Sequence, residues 1–345
     1  MHLRKNLSAD AALVLTTLVW GSTFVMAKDV LERWPPVAYL TFRFAIAALV
    51  LVVLFGKRIA QARRYEWKAG ASLGLLVGGG FALQAVGQVY TTPSKSAFVT
   101  GLTTPLVPFV AFALLRVRPN FENLLGVVLA SIGGALILAP RDASVNAGDI
   151  ITLGCTILFA THLTLTSVYA KRIDPRQLTV LQITIAAVVF LFMWSAFHIV
   201  ARVFPQNALP LFVVREAVPL VWSVRVVWQE IYLAIIATVG TFLAWTWAQG
   251  KMSATHAAII FSLEPVFATL IAVAVRGTNE WAGGRANVGA ALILAGVLVS
   301  ELRLRGKRKP ATNDSVTTVD IDDEEGFHVE AARDHRTQKT PQLEP

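Results

Sequence analysis

The stretch VAYLTFRFAIAALVLVVLF, residues 37–55, decides the fold class because it contains only one charged side chain, Arg43. At about 1.5 Å of rise per residue, a helix of this length is about long enough to cross the ~30 Å hydrocarbon core of a bilayer. The whole chain has the same character, with 55% hydrophobic residues, 15% charged residues and a mean hydropathy of +0.58. Soluble domains carry about 25% charged residues. The chain is therefore predicted to be an all-α integral membrane protein.

Further windows of the same kind run along the chain, separated by short loops rich in proline, glycine or charge. Two other segments differ: residues 200–227 are expected to lie on the membrane surface as a long outer loop, and the polar residues 302–345 to form a disordered cytoplasmic tail. About ten transmembrane helices are predicted, at 9–28, 37–55, 69–90, 95–115, 122–140, 149–169, 177–199, 228–249, 254–275 and 286–301.

The distribution of lysine and arginine sets the expected topology. With both termini in the cytoplasm, the inner segments hold 18 Lys and Arg, and the outer loops, counted together with Lys28 and Lys95 at the adjoining helix ends, hold 9, a bias in the direction of the positive-inside rule. The net charge of +9 is explained in this way, so nucleic acid is not an expected partner. We expect a multi-pass protein of the inner, or cytoplasmic, membrane, with its first helix retained rather than cleaved as a signal peptide.

An internal repeat relates the two halves of the chain. A shift of 139 residues places Pro36 on Pro175 and Ile46 on Ile185, and a shift of about 160 continues the match into the later helices. The predicted repeats are residues 1–140 and 141–301, with five helices each. Because five is odd, the second repeat enters the membrane from the opposite side, and inverted repeats are a design of secondary transporters.

Several short motifs lie in register along residues 10–301: LVWGSTF at 18–24, RFAIA at 43–47, YTTPSKSAFVTGL at 90–102, SLEPVF at 262–267 and GAALILAG at 289–296. Together they resemble the EamA-type transporters of the drug/metabolite transporter superfamily. The resemblance implies ten helices, two inverted repeats, a central cavity and export or exchange of a metabolite. Members carry very different cargo, so the resemblance does not imply a substrate. Two departures are the basic residues around 116–118 and the long loop 200–227.

Ionisable residues inside predicted helices are the first candidates for a mechanism, because each costs about 2.5–3.5 kcal/mol on insertion scales. Arg43 either holds a substrate carboxylate or phosphate or is a structural arginine that snorkels. Glu264 is the one acid placed deep within a predicted helix, just before Pro265. It is either a proton-coupling group or a fixed partner for a backbone group or for Arg43. Lys95 is placed at the outer mouth, where it attracts anions or anchors the helix end.

Polar residues at helical spacing are the second group of candidates. Gln84 and Gln88 lie four residues apart in the third helix, and a comparable stripe follows the seventh and eighth helices. The two stripes either line a pathway or bond helices to one another. Trp20 either lines the cavity or packs, and His162 either relays protons or is a neutral interhelical partner. The residues of the second stripe are Gln182, Thr241, Trp245 and Gln249.

These features predict a secondary active transporter that works by alternating access and exports or exchanges a small polar metabolite, such as an amino acid. The alternative is a membrane scaffold or signalling protein that transports nothing. The chain has no GxxxxGK[ST] or HExxH pattern and a single cysteine, Cys155, so no enzyme, metal or cofactor is predicted. The expected partners are the lipid bilayer, the substrate and, if transport is coupled, protons.

Overall fold

The computed structural model describes residues 7–90, 96, 99–138, 146–276 and 284–301. Within these ranges every regular element is a helix. The predicted outer-mouth residue Lys95 and the predicted tail 302–345 lie outside the described residues.

The described residues form thirteen α-helices, which are numbered in chain order. Helices α9 and α10 are joined by a π turn, Ile235–Gly240, and form one rod from Val224 to Gln249. Helices α11 and α12 are separated only by Ser262 and Leu263. The bounds are α1 Leu7–Leu31, α2 Pro36–Ala60, α3 Arg64–Tyr90, α4 Thr103–Leu115, α5 Phe121–Leu138, α6 Ala147–Tyr169, α7 Pro175–Val203, α8 Leu211–Arg215, α9 Val224–Ala234, α10 Thr241–Gln249, α11 Ala254–Phe261, α12 Glu264–Arg276 and α13 Gly284–Glu301.

Six helical rods are long and apolar enough to cross a membrane: α1, α2, α3, α6, α7 and the α9–α10 rod. Four shorter apolar stretches, Val99–Leu115, Phe121–Leu136, Ala254–Ala268 and Asn287–Val299, lie in the other predicted windows. Many large apolar side chains face outward, among them Val53 and Phe192, which are 75% and 76% exposed. Such a surface is stable in lipid and would aggregate in water. The fold is that of an all-α membrane protein.

Helix ends are fixed by local side chains at the start of the second half. Asn146 and Asp149 form a capping box in which each side chain accepts from the backbone N–H of the other, across 3.1 and 3.0 Å. Asp174 caps α7 by accepting from Arg176 N and Gln177 N, with Pro175 at the first helical position. The sequence therefore dictates where α6 and α7 begin.

Glycines lie at the closest contacts between helices. Small residues are expected there because lipid provides little hydrophobic driving force for helices to associate. A Cβ on Gly133 of α5 would lie 2.5 Å from the carbonyl oxygen of Gly289 in α13, and one on Gly296 would lie 2.6 Å from that of Gly126. The pairing order reverses along the two helices, so α5 and α13 pack antiparallel. In α3, a Cβ on Gly74 would lie 2.7 Å from the oxygen of Gln182 in α7.

Helix α1 packs mainly against helices of the second half, α9 to α12. At Gly21 a Cβ would lie 2.9 Å from the backbone nitrogen of Ala268 in α12. Asp10 near one end of α1 contacts His256 of α11 across 3.0 Å. Asp29 near the other end forms an ion pair with Arg225 and accepts from Gln229, both on α9. Helix α1 is thus held at both ends by the second half.

Residues 204–223, most of the predicted long outer loop, contain a 3-10 turn and the five-residue helix α8. Arg215 at the end of α8 donates to the carbonyl oxygen of Leu31, the last residue of α1, across 2.6 Å. The next residue, Glu216, accepts from Val37 N and Ala38 N in the first turn of α2, across 2.8 and 3.3 Å. The loop thereby satisfies backbone groups at both ends of the α1–α2 turn.

Candidate functional site

A cavity lies among α1–α6 and α10–α12, and aromatic rings and a few polar groups line it. Its charged lining residues are Arg43 and Glu264, the two ionisable groups that the sequence analysis placed in the membrane. The polar lining residues include Gln84 and Gln88. The rings are those of Trp20, Phe24, Tyr39, Phe81, Phe159, Phe242, Trp245 and Phe261.

Arg43 is buried, with 3% of its surface exposed, and protein groups orient its guanidinium. Nε donates to the hydroxyl of Thr238 across 2.9 Å, Nη1 to the hydroxyl of Tyr39 across 2.9 Å, and Nη2 to the carbonyl oxygen of Ala237 across 3.4 Å. The guanidinium carbon lies 4.9 Å from the centre of the Phe81 ring, a cation–π contact. One N–H on each terminal nitrogen remains for a ligand, and a carboxylate accepts from two such groups at once.

The π turn Ile235–Gly240 supplies two of these acceptors. Ala237 O accepts from Arg43 and also from Trp20 Nε1, across 3.2 Å, and Trp20 donates to Thr241 Oγ1 across 3.1 Å. π turns are rare and occur often at functional sites. Sequence reasoning missed Thr238 because helical spacing alone does not reveal an inserted π turn, although the predicted Thr241 lies only three residues away.

Gln84 and Gln88 of the first predicted stripe both line the cavity. Gln84 Nε2 donates to Thr100 Oγ1 across 3.1 Å, and Thr100 is itself a lining residue. The amide groups of α3 and the hydroxyl of Thr100 therefore form one polar wall.

Four of the aromatic lining residues pack against one another, and we call Trp20, Phe242, Trp245 and Phe261 the aromatic plug. The Trp20 ring lies 5.2 Å from Trp245 and 5.3 Å from Phe261, between ring centres. The Trp245 ring lies 5.3 Å from Phe242 and 5.6 Å from Phe261. These are ordinary distances for aromatic pairs, so the rings leave little space between them.

Of the second stripe, only Trp245 lines the cavity. We define the polar layer as five fully buried polar side chains that do not line the cavity: His162, Thr179, Gln182, Thr246 and Gln249. His162, which does not line the cavity, contacts Trp245 with ring centres 5.0 Å apart. Thr241 is also buried, and its hydroxyl accepts from Trp20 Nε1 and donates to Ala237 O. The structure therefore divides the predicted site into a lining group and a sealed group.

Glu264 and Glu230 differ in their surroundings. Glu264 is partly exposed, lines the cavity and begins α12 directly after the break at Ser262 and Leu263. The prediction that it is the one acid deep in a helix is wrong, because Glu230 is only 2% exposed. Glu230 lies in the second turn of α9, which begins at Val224 rather than at 228 as predicted. Its carboxylate has no hydrogen-bond partner among the described residues.

The described part of the chain contains one cysteine and no cluster of metal-ligating side chains. Cys155 is a free, fully buried thiol in α6. Among the described residues no three His, Cys, Asp or Glu side chains lie together as metal ligands. The cavity lining instead combines an arginine, a glutamate, two glutamine amides and aromatic faces.

The chain resembles named transporters and a solved structure. It is 29% identical over 300 residues to a protein of Archaeoglobus fulgidus named "Uncharacterized transporter", covering 87% of this chain and 88% of that protein. It is 26% identical over 308 residues to "Uncharacterized transporter YyaM" of Bacillus subtilis, covering 86% and 94%. A crystal structure superimposes with a TM-score of 0.66 at 17% identity, covering 85% of this chain and 96% of that one, a likeness of fold.

The sequence profile of the EamA-like transporter family matches residues 7–139 and again residues 146–302. Together the two matches cover most of the chain and nearly all of its described helices. The chain therefore belongs to the EamA-like transporter family and is a multi-pass membrane transporter.

Proposed function

We propose that this transporter is a secondary carrier that moves a small polar metabolite, such as an amino acid or a related compound, by alternating access. The observation that carries the proposal is the presence of a basic and an acidic side chain in one cavity, since Arg43 and Glu264 both line it. Arg43 suits a carboxylate, Glu264 suits an ammonium group, and the amides of Gln84 and Gln88 suit further polar groups.

Two inverted repeats are part of the proposal. Two features support them: the family profile matches twice, and α5 pairs antiparallel with α13 through glycines near the end of each half. Related halves of opposite orientation can exchange conformations, which exposes a site between them to either side in turn. Glu264 would then couple transport to protons, whereas an exchanger would use the same cavity without coupling.

The test is uptake of labelled compounds into inverted membrane vesicles from cells that overproduce the protein. The panel contains amino acids, organic acids, sugars and cationic drugs, each with and without a proton gradient. We expect accumulation of one class, most simply a zwitterionic one, and its loss in Arg43→Ala. The matched control is Arg202→Ala, which removes an exposed arginine at the end of α7. Uptake that survives Arg43→Ala unchanged would remove Arg43 from the site.

The distribution of Lys and Arg between the loops leads us to propose that the protein lies in the inner membrane with both termini in the cytoplasm. Fusion of a fluorescent reporter that folds only in the cytoplasm to the C-terminus tests it. A fluorescent fusion supports the orientation, and a dark fusion with an active periplasmic enzyme reporter at the same position reverses it.

A further inference from the structure

The polar layer is sealed between the aromatic plug and one end of the bundle. Helix α10 runs from the plug residues Phe242 and Trp245 to Gln249, and the chain then turns at 250–253 into α11. At this end Asp10 of α1 contacts His256 of α11 across 3.0 Å, and Met252 in the turn is buried. The end that carries loop 204–223 is the opposite one.

Part of the polar layer forms a chain of hydrogen bonds between helices. His162 Nε2 lies 2.8 Å from Gln182 Oε1, and Gln182 Nε2 donates to Thr246 Oγ1 across 3.4 Å. Thr179 Oγ1 also bonds Thr246 Oγ1, across 3.1 Å. These contacts join α6, α7 and α10, and helix association alone would account for them.

Other polar atoms of the layer, and one of the adjoining plug, do not fit that account. His162 Nδ1, Trp245 Nε1 and both amide atoms of Gln249 are buried without a hydrogen-bond partner among the described residues. Buried polar groups are normally paired, because burial without a partner is costly. Groups that serve only to join helices would be paired, whereas groups that meet water or a ligand in a second conformation need no protein partner in the first.

We propose that the polar layer is the closed half of the translocation pathway, with the aromatic plug as the gate between it and the open cavity. This inference rests on the proposed alternating access and assigns its second half to named residues. When the plug parts and the Asp10–His256 contact opens, His162, Trp245 and Gln249 line a path toward the α10–α11 turn. A layer with both donors and acceptors suits a polar substrate in transit.

The inference predicts which side can reach each residue. Cys155 is the chain's one cysteine, so Cys155→Ala yields a cysteine-free protein in which single cysteines are introduced. Gln249→Cys probes the layer, Gln88→Cys probes the open cavity, and Ala186→Cys is the control. Ala186 is fully buried in α7, where it packs on Gly78 of α3, and it is neither a lining residue of the cavity nor a member of the polar layer. Right-side-out and inverted vesicles are treated with a charged, membrane-impermeant methanethiosulfonate.

We expect Gln88→Cys to react from the side of loop 204–223 and Gln249→Cys from the opposite side. Each should react at least about tenfold faster than Ala186→Cys. Adding Phe261→Ala to Gln249→Cys removes one ring of the plug and should let the reagent reach the introduced thiol from the loop 204–223 side as well. Thr246→Cys, a nearly isosteric change one turn earlier, provides a second layer probe if Gln249→Cys does not fold.

Layer cysteines that react no faster than Ala186→Cys from either side, in protein whose Gln88→Cys is labelled, would overturn the inference. The readout needs no transported substrate. Labelling of the layer in vesicles that transport nothing on the panel would therefore leave the pathway standing and count only against the proposed cargo.

Discussion

The Nε–H of Arg43 donates to the hydroxyl of Thr238 across 2.9 Å, so a residue of the π turn fixes the orientation of the buried cation. The same turn offers Ala237 O to both Arg43 and Trp20. A regular helix through 235–240 would place these two acceptors differently. The π turn thus links the cation of α2, the first ring of the plug and the α9–α10 rod.

The first prediction concerns Thr238 as a positioning residue. Thr238→Val keeps the shape of the side chain and removes the acceptor, which leaves Arg43 Nε–H unpaired. A hydrogen bond to a charged group contributes about 1.5–3 kcal/mol, so we expect KM for the transported substrate to rise about tenfold or more with little change in maximal rate. Thr238→Ser should restore KM.

The control for this prediction is Thr164→Val, which removes a fully buried hydroxyl of α6 that bonds only within its own helix. Equal effects of Thr164→Val and Thr238→Val on KM would show that general packing, rather than the orientation of Arg43, is responsible.

The second prediction concerns Glu216 as the cap of α2. Pro35 precedes this helix and offers no capping side chain, whereas Glu216 accepts from the N–H groups of Val37 and Ala38. Loss of a cap costs about 0.5–2 kcal/mol, so Glu216→Ala should lower Tm in detergent. The control Glu32→Ala removes an exposed carboxylate from the α1–α2 turn and should leave Tm nearly unchanged. Equal Tm values for the two variants would refute the capping role.

The third prediction is a pH dependence of stability. Burial raises the pKa of Glu216 to about 7, and the donors Val37 N and Ala38 N and the charge of Arg215 offset this only in part. The usual pKa of an unfolded glutamate is about 4.3. Between about pH 4.5 and 7 the native protein therefore binds more protons than the unfolded chain, and the stability linked to this group is lost as pH rises through about 7.

Thermal unfolding of the detergent-solubilised protein between pH 5 and 8 measures this effect. Wild-type Tm should fall with rising pH more steeply than Tm of Glu216→Gln, which cannot ionise and can still accept from Val37 N through its amide oxygen. Parallel curves for the two proteins would show that Glu216 does not titrate in this range.

The fourth prediction concerns Glu264 as a proton-coupling group. Glu264→Gln keeps the size and polarity of a cavity-lining side chain and removes its charge and its exchangeable proton. We expect substrate exchange to persist while the response of uptake to a proton gradient disappears. Glu32→Gln makes the same change at an exposed position and should keep the response. A gradient response that persists in Glu264→Gln would assign coupling elsewhere, with the buried Glu230 as the next group to replace.

Composition and hydropathy were enough to predict a membrane protein of many helices, because lipid imposes the length and apolar character of each rod. They also singled out Arg43 and Glu264, since an ionisable residue within an apolar run is conspicuous. Thr238 was not found because its role depends on a π turn, and Glu230 was missed because α9 begins four residues before the predicted window. Helical spacing placed Trp245 and Gln249 on one face of their helix. Only the packed structure shows that Trp245 lines the cavity whereas Gln249 is fully buried and does not.

The last prediction tests the contact between α5 and α13. Gly133 and Gly134 are neighbours in α5, yet a Cβ on Gly133 would lie 2.5 Å from Gly289 O, whereas one on Gly134 would have nothing within 4 Å. Alanine is favoured over glycine in a helix by about 0.8–1.0 kcal/mol, so Gly134→Ala should hold or raise Tm. Gly133→Ala must push α13 away and should lower Tm despite the same gain in propensity. If the two variants shift Tm alike, α5 and α13 are not in close contact in the membrane-inserted protein.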